Sequence, residues 1–297
     1  MRVFLTGATG FIGSRILSEL MAAGHEVIGL TRSESGARQL VAAGASAHLG
    51  TLESPEGLAR GAENADAIIH TAFDHDFSNF AANCEKDRRV IGALGSVFKR
   101  SNRPLLITSG VGMGDPGNGE PAREDVFDAH HFNPRIASEL AGQEQLEAGV
   151  NLGVVRLPQV HDTVKQGLIT PYIEMARQKG VVAYVEEGIN RWAGGHVSDV
   201  ARLYVLALGR SEPGARYNAV AEEGVATRDI ANTVAAGLGL PAVSLSKDEA
   251  EAHFGWLAMF ASANITASSA LTREKLGWVP KGPNLLDDLR DMDYSAN

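Results

Sequence analysis

The residues with the most legible chemistry stand at the start of the chain. Thr6-Gly7-Ala8-Thr9-Gly10-Phe11-Ile12-Gly13 follows the apolar run Val3-Phe4-Leu5 and precedes a stretch with helical spacing. Glycine suits three of these positions for different reasons. Gly7 allows a tight turn, Gly10 lets the backbone approach a pyrophosphate, and Gly13 lets the helix pack close to the strand. The phosphates would rest on the helix N-terminus, where unpaired N–H groups and the helix dipole favour anions. Thr9, Gly10, Phe11 and Ile12 line that cradle. A glycine triplet alone also fits a structural turn; its place after a strand and before a helix is what points to a dinucleotide.

The next strand closes on Leu30-Thr31-Arg32-Ser33. An acidic side chain there would grip a ribose 2′-hydroxyl and select NAD. None is present. Arg32, helped by Ser33, suits a 2′-phosphate instead, because a guanidinium matches phosphate oxygens. NADP (NADPH) is therefore expected over NAD, the alternative being that Arg32 is a solvated loop residue.

These residues need a scaffold, and the apolar pattern supplies one. Strands are expected at Arg2–Thr6, Glu26–Leu30, Ala67–His70, Pro104–Thr108 and Leu152–Leu157, with helices at Phe11–Ala23, Ser35–Ala43, about Phe77–Lys99 and Arg135–Ala148. Such alternation implies βαβ units, a parallel sheet and right-handed crossovers. The expected fold is α/β: a Rossmann-type doubly wound parallel sheet over residues 1–157, with a returning segment near 192–220. A smaller mixed C-terminal lobe is expected over 158–297. There, helices are expected at 167–179, 197–209, 227–237 and 246–254, and short strands near 181–185, 215–220 and 243–245.

Bulk properties narrow the function classes. The 297 residues are 44% hydrophobic and 21% charged, an ordinary globular composition. Net charge is 27 − 36 = −9, which argues against nucleic acid and anionic membrane as partners and leaves a small-molecule substrate. Cys84 is the single cysteine, so no internal disulfide forms, and no Cys/His spacing suits a metal. The chain opens directly on a strand pattern, without a charged leader or long apolar stretch; a cytoplasmic protein is expected.

The pattern Thr-Gly-X-X-Gly-X-X-Gly resembles the fingerprint of the extended short-chain dehydrogenase/reductases, the NAD-dependent epimerase/dehydratase-like group. Three further segments are similar to that family. Gly50-Thr51-Leu52-Glu53 resembles its turn against the adenine, and His70-Thr71-Ala72-Phe73 its stretch along the cofactor. Arg156-Leu157-Pro158 and His196-Val197-Ser198-Asp199-Val200 resemble its sixth strand and the start of a C-terminal-lobe helix. The resemblance implies cofactor contacts from Leu52, Thr71, Ala72, Phe73, Thr108, Arg135 and Pro158, and a homodimer through the helices near 77–99 and 135–148. It is close over the first 110 residues and loose after 220.

The departure from the family concerns its chemistry. The family uses a Tyr as proton donor and a Lys four residues later. The tyrosines here are Tyr172, Tyr184, Tyr204, Tyr217 and Tyr294, and none has such a lysine. Two registers fill the slot. Arg135-Ile136-Ala137-Ser138-Glu139 would replace Tyr-X-X-Ser-Lys; His131-Phe132-Asn133-Pro134-Arg135 would replace Tyr-X-X-X-Lys. The second keeps the usual spacing to Arg156 and puts a cation where the lysine belongs, so the chain resembles atypical members with His-X-X-X-Arg. His131 then gives the proton and Arg135 holds the ribose. Pro134 makes Asn133 the helix N-cap and leaves His131 just outside the helix, so the two need not share a face. A surface-loop histidine beside His130 is the alternative. The family's substrate-orienting hydroxyl falls on Gly110, so Ser109, or Thr108, is the substitute.

Other residues carry two readings each. Asp74-His75-Asp76 suits acid/base work or, more simply, a helix cap. His161 follows Pro158 and is expected either to face the substrate or to be a plain loop residue. Trp256 and Phe260, in the most aromatic stretch, suit an apolar lid over the substrate or the core of the small lobe. Asp199 reads as structural. The expected function is an NADPH-dependent oxidoreductase reducing a carbonyl or related C=N group. The alternatives are an NADP-binding sensor without turnover and a sugar-nucleotide epimerase or dehydratase; the missing Tyr/Lys pair argues against the last.

Overall fold

The computed structural model describes residues 1–295. In its first half β1 (Arg2–Thr6), α1 (Phe11–Ala22), β2 (Glu26–Thr31), α2 (Glu34–Ala42), β3 (Ser46–Leu49), α3 (Pro55–Ala62), β4 (Ala67–His70), α4 (Phe80–Val97), β5 (Leu105–Gly110), α5 (Ile136–Glu147) and β6 (Leu152–Leu157) alternate along the chain. Then come β7 (Gln159–His161), α6 (Ile169–Lys179), β8 (Val182–Val185), β9 (Arg191–His196), α7 (Val197–Arg210), β10 (Arg216–Asn218), β11 (Glu222–Ala226), α8 (Thr227–Leu238), β12 (Ala242–Leu245), α9 (Lys247–Phe254), α10 (Ala258–Ala261), α11 (Ala270–Leu276) and α12 (Leu285–Asp291).

Seven strands form one parallel sheet in the order β10-β6-β5-β4-β1-β2-β3. The order reverses between β1 and β4, and a sheet of this kind opens a crevice outside the carboxyl ends of its strands there. On one face Ile16 and Leu20 of α1 share a core with Val200 and Leu203 of α7. On the other, Leu58, Ile91, Leu94 and Ala141 from α3, α4 and α5 cover Phe4, Ile68 and Ile107. The small lobe has a mixed three-stranded sheet, β11-β9-β7, and a parallel pair, β12-β8, around Trp192, Phe254, Leu257 and Leu285. The returning segment is α7 and β10, while β9 stays in the small lobe.

The Rossmann-type reading therefore holds. Pattern reading passed over β3, whose Ser-Ala-His-Leu is mostly exposed at the sheet edge, and α3, which carries two glycines. The helix expected from Phe77 begins at Phe80, because Asp76 caps a separate short turn at Phe77–Asn79. Among the described residues no helix is long and apolar enough to cross a membrane.

Candidate active site

The glycine loop is shaped by contacts that exclude any side chain. Gly7 has φ +70°, and a Cβ there would meet Thr71 Oγ1 at 2.7 Å. A Cβ on Gly13 would lie 2.0 Å from the Gly7 carbonyl oxygen, so only glycine lets α1 sit against the end of β1. Gly10 starts α1, with no side-chain cap and no acid in the first turn. The first N–H groups of the helix thus face solvent beside exposed Thr9 and Gly10, with Phe11 and Ile12 half-buried. Unpaired N–H groups and the dipole at such a helix end favour an anion. At the end of β2, Arg32 is exposed and makes no hydrogen bond or ion pair among the described residues. Ser33 is also exposed, but its hydroxyl caps α2 by accepting from the Gly36 N–H at 3.1 Å. Leu52 packs half-buried under the same edge.

Behind the crevice lies a buried hydrogen-bond chain. Thr6 Oγ1 accepts from the N–H groups of Thr71 and Ala72, both at 3.1 Å, while Thr71 Oγ1 donates to the Thr6 carbonyl at 2.7 Å. This staples the peptide after β4 to the end of β1. With two donors already accepted, the Thr6 hydroxyl proton goes to His70 Nδ1, 2.7 Å away. His70 is therefore the Nε2–H tautomer, assigned from its partners, and donates to Asp87 Oδ1 at 2.9 Å. The other Asp87 oxygen accepts from Ser138 Oγ at 2.6 Å and from Arg135 Nη1 at 2.8 Å. Burial alone would raise the Asp87 carboxyl, but the Arg135 charge and the bonds from His70 and Ser138 outweigh it and hold it at about 2.

Arg135 is fixed on every side. Nη1 also donates to Ser138 Oγ at 2.8 Å, Nη2 donates to the Thr108 carbonyl at 2.8 Å, and the guanidinium lies 4.0 Å from the Phe73 ring centroid. A guanidinium has five N–H groups; the Nε–H and one on Nη2 remain without an acceptor among the described residues. Ser109, the next residue after that carbonyl, has a buried Oγ with no hydrogen-bond partner.

His131 lies outside this cluster. Its half-buried ring stacks on exposed Phe132, and Nδ1 accepts from the Asn133 N–H at 3.1 Å. The ring makes no hydrogen bond to Arg135. Asn133 Oδ1 in turn accepts from the Arg135 N–H at 2.9 Å, but this is a turn ahead of the helix: α5 starts at Ile136 with Arg135 as its N-cap residue and no side-chain cap, so Asn133 is not the cap that Pro134 led one to expect.

Two expectations need correction. Thr108 was expected along the cofactor, but its hydroxyl points inward: it donates to the His70 carbonyl at 2.8 Å and accepts from Tyr204 at 2.6 Å. Tyr204 is fully buried, its phenol pushed up by burial, and offers no exposed acid. His161 was expected to face the substrate; it is fully buried, with Nδ1 2.6 Å from Asp288 Oδ2. Its place on β7, beneath α12, takes it off the crevice wall. Pro158 is half-buried between β6 and β7. Asp199 is structural: it accepts from the N–H groups of Lys281 and Gly282. Trp256 and Phe260 reach from the small lobe to meet Phe77.

Sequence reading missed Thr6, His70, Asp87 and Ser138. The signal for Asp87 was there: Cys84, Asp87, Ile91 and Leu94 share the buried stripe of α4, and an acid on such a stripe needs a partner.

Residues 3–220 match the NAD dependent epimerase/dehydratase family. The chain belongs to that family. It is 41% identical over 295 residues to an uncharacterized protein of Schizosaccharomyces pombe, covering 99% of this chain and all of that one. It is 28% identical over 250 residues to vestitone reductase of Medicago sativa, covering 73% and 76% of the two chains. Among solved structures, the UDP-glucose 4-epimerase of Thermus thermophilus in complex with NAD shares the fold, with TM-score 0.76, 23% identity, and 99% and 98% of the two chains covered. The chain is thus a short-chain dehydrogenase/reductase-type enzyme that uses a nicotinamide cofactor. Its own residues fit one: the glycine cradle would be filled by any Cβ, α1 is uncapped, and Ser109 Oγ is buried without a partner.

Proposed function

We propose that the protein is an NADPH-dependent reductase of a carbonyl or related C=N group. The observation that carries this reading is Arg135: a cation fixed by buried Asp87, with two N–H groups still to give; we take it to stand in for the family's lysine. When bound, the reduced nicotinamide supplies a hydride to the substrate carbon. The protein supplies position and the proton. The first turn of α1 holds the pyrophosphate, and Arg32 pairs with the 2′-phosphate. The unpaired N–H groups of Arg135 hold the ribose hydroxyls, and Ser109 Oγ orients the substrate oxygen. Because His131 Nδ1 is an acceptor for Asn133, the Nε2–H is its remaining donor. It gives a hydrogen bond to the developing alkoxide, or holds the water that protonates it. The vestitone reductase relative is in keeping with a reductase, and the missing Tyr/Lys pair, rather than that relative, is what argues against an epimerase.

A second reading keeps a specific observation. His131 makes no hydrogen bond to Arg135, which favours a cofactor-binding sensor without turnover. Both are tested by following loss of NADPH and NADH absorbance against ketones, aldehydes, quinones and imines. Oxidation of NADPH with one class is expected. Arg32→Ala should raise KM for NADPH about tenfold or more while leaving that for NADH near its starting value. Cofactor binding without oxidation of any substrate would move the reading to the sensor. A homodimer through α4 and α5 remains a proposal for light scattering; the outer faces of these helices carry the Arg88–Glu144 pair and exposed Arg89 and Glu147.

A further inference from the structure

A run of aromatic rings leads away from Arg135 and crosses to the other lobe. It begins at Phe73, under the Arg135 guanidinium. Phe73 meets Phe80 edge-on at 6.3 Å, and Phe80 meets Phe77 at 5.5 Å. Phe77 then stacks face to face on Trp256, with centroids 4.4 Å apart and planes within 1°. Phe260 closes edge-on against both, at 6.0 and 6.4 Å. Phe73, Phe77 and Phe80 come from the β4–α4 connection, at the carboxyl edge of the sheet. Trp256 and Phe260 come from the α9–α10 segment of the small lobe.

Two properties separate this array from ordinary core. Rings that serve only to stabilise a domain are withdrawn from water as far as their size allows. Here Trp256 is 39% exposed and Met259, between the two small-lobe rings, 44%; Phe73, Phe77, Phe80 and Phe260 are all partly open. The array also has one end on the guanidinium with two uncommitted N–H groups. A ligand lying along it would therefore have a reacting end at Arg135 and a non-reacting end among aromatic faces.

We propose that the Phe77–Trp256 array is an aryl-binding subsite, and that the substrate carries a planar aromatic ring that packs against its open side while the carbonyl points into the crevice beside Arg135, toward Ser109. The carbonyl half of this statement rests on the reductase reading; the ring half rests on the array. Aromatic rings gain from offset and edge-on packing beyond the area they bury, a gain that a saturated ring of similar volume lacks. Met259 adds an adaptable, polarisable edge. A sugar would bring hydroxyls that find no donor or acceptor on hydrocarbon faces and would leave them desolvated.

The test compares benzylacetone with its ring-saturated counterpart, in which cyclohexyl replaces phenyl. The two ketones share one carbonyl and one chain length. Their binding to the NADP-loaded protein, which cannot turn them over, is measured by calorimetric titration. Benzylacetone should bind about tenfold tighter. Trp256→Leu and Phe77→Leu should each bring the two ketones to within about twofold of one another, and Trp256→Phe should restore the preference. Unchanged NADP affinity reports that the variants fold. Equal binding of both ketones to the wild-type protein would overturn the subsite, as would an undiminished preference in both leucine variants. Aryl preference with no NADPH oxidation would uphold the subsite and remove the reductase reading, so the two fail separately.

Discussion

His70 and His161 are both fully buried, and both hydrogen-bond an aspartate, yet their second ring nitrogens end differently. His70 Nδ1 takes the Thr6 hydroxyl at 2.7 Å, and every polar atom along Thr6, His70, Asp87 and Ser138 has a partner. His161 Nδ1 meets Asp288, but Nε2 has no hydrogen-bond partner and lies 3.9 Å from Glu222 Oε2. His196 Nε2 approaches the same Asp288 at 3.8 Å. In the first cluster a cation and an anion are locked together, and the carboxyl is driven down. In the second, burial lowers the His161 imidazole against the pull of Asp288, and burial raises the Glu222 carboxyl. A satisfied buried network fixes geometry and favours its charged forms, whereas an unsatisfied one shifts its groups toward their neutral forms.

The largest expected effect comes from breaking the satisfied cluster. Arg135→Met leaves Asp87 buried without its cation and should cost about 3–5 kcal/mol in urea denaturation at neutral pH. Asp87→Asn in the same chain should recover part of that loss; no recovery would mean that the two side chains act independently. Next is the acid limb. Asp87 is depressed from 3.8 to about 2 in the folded state, so its contribution is present above the unfolded value and is lost as pH falls from about 4 to 2. It is worth about 2 kcal/mol. Asp87→Asn should flatten that limb, and an unchanged acid profile in the variant would separate Asp87 from Arg135.

Smaller effects should mark the second cluster. Because His161 is lowered in the folded state, the unfolded chain takes up its proton first, and stability declines as pH drops below the ordinary histidine range. Asp288, His196, Asp162 and Glu222 all face it. His161→Asn keeps a donor for Asp288 and should remove this decline in a denaturation series from pH 7 to 5. Glu222 has the opposite sign: raised in the folded state, it favours folding at low pH and loses that advantage as pH rises through its folded value. Glu222→Gln, which can still accept from the Leu285 N–H, should stabilise slightly at neutral pH, by no more than about 0.5 kcal/mol.

The cofactor half of the site was readable because its chemistry is local. Gly7, Gly10 and Gly13 sit on one turn, where backbone geometry dictates residue type, and the strand before them is an unbroken apolar run. The scaffold was readable for the same reason, since β1, β4, β5 and β6 are buried on both faces. What escaped was built from distant segments. Asp87 meets Arg135 across 48 positions and His70 across 17, and nothing near Asp87 names its partners. His161 read as a crevice residue because Pro158 precedes it, yet α12, 127 positions on, buries it. The Phe77–Trp256 stack joins two lobes, while periodicity describes each aromatic run only by itself.

The most direct test of the central proposal uses NADPH carrying deuterium at the reactive ring carbon, mixed with the ketone that gives the fastest absorbance loss, followed by mass spectrometry of the product. One deuterium on the new carbinol carbon, reduced in yield by Arg135→Met at saturating cofactor, is the expected result. Product without deuterium, or cofactor bound with no product from any carbonyl or imine, would contradict hydride transfer in this site.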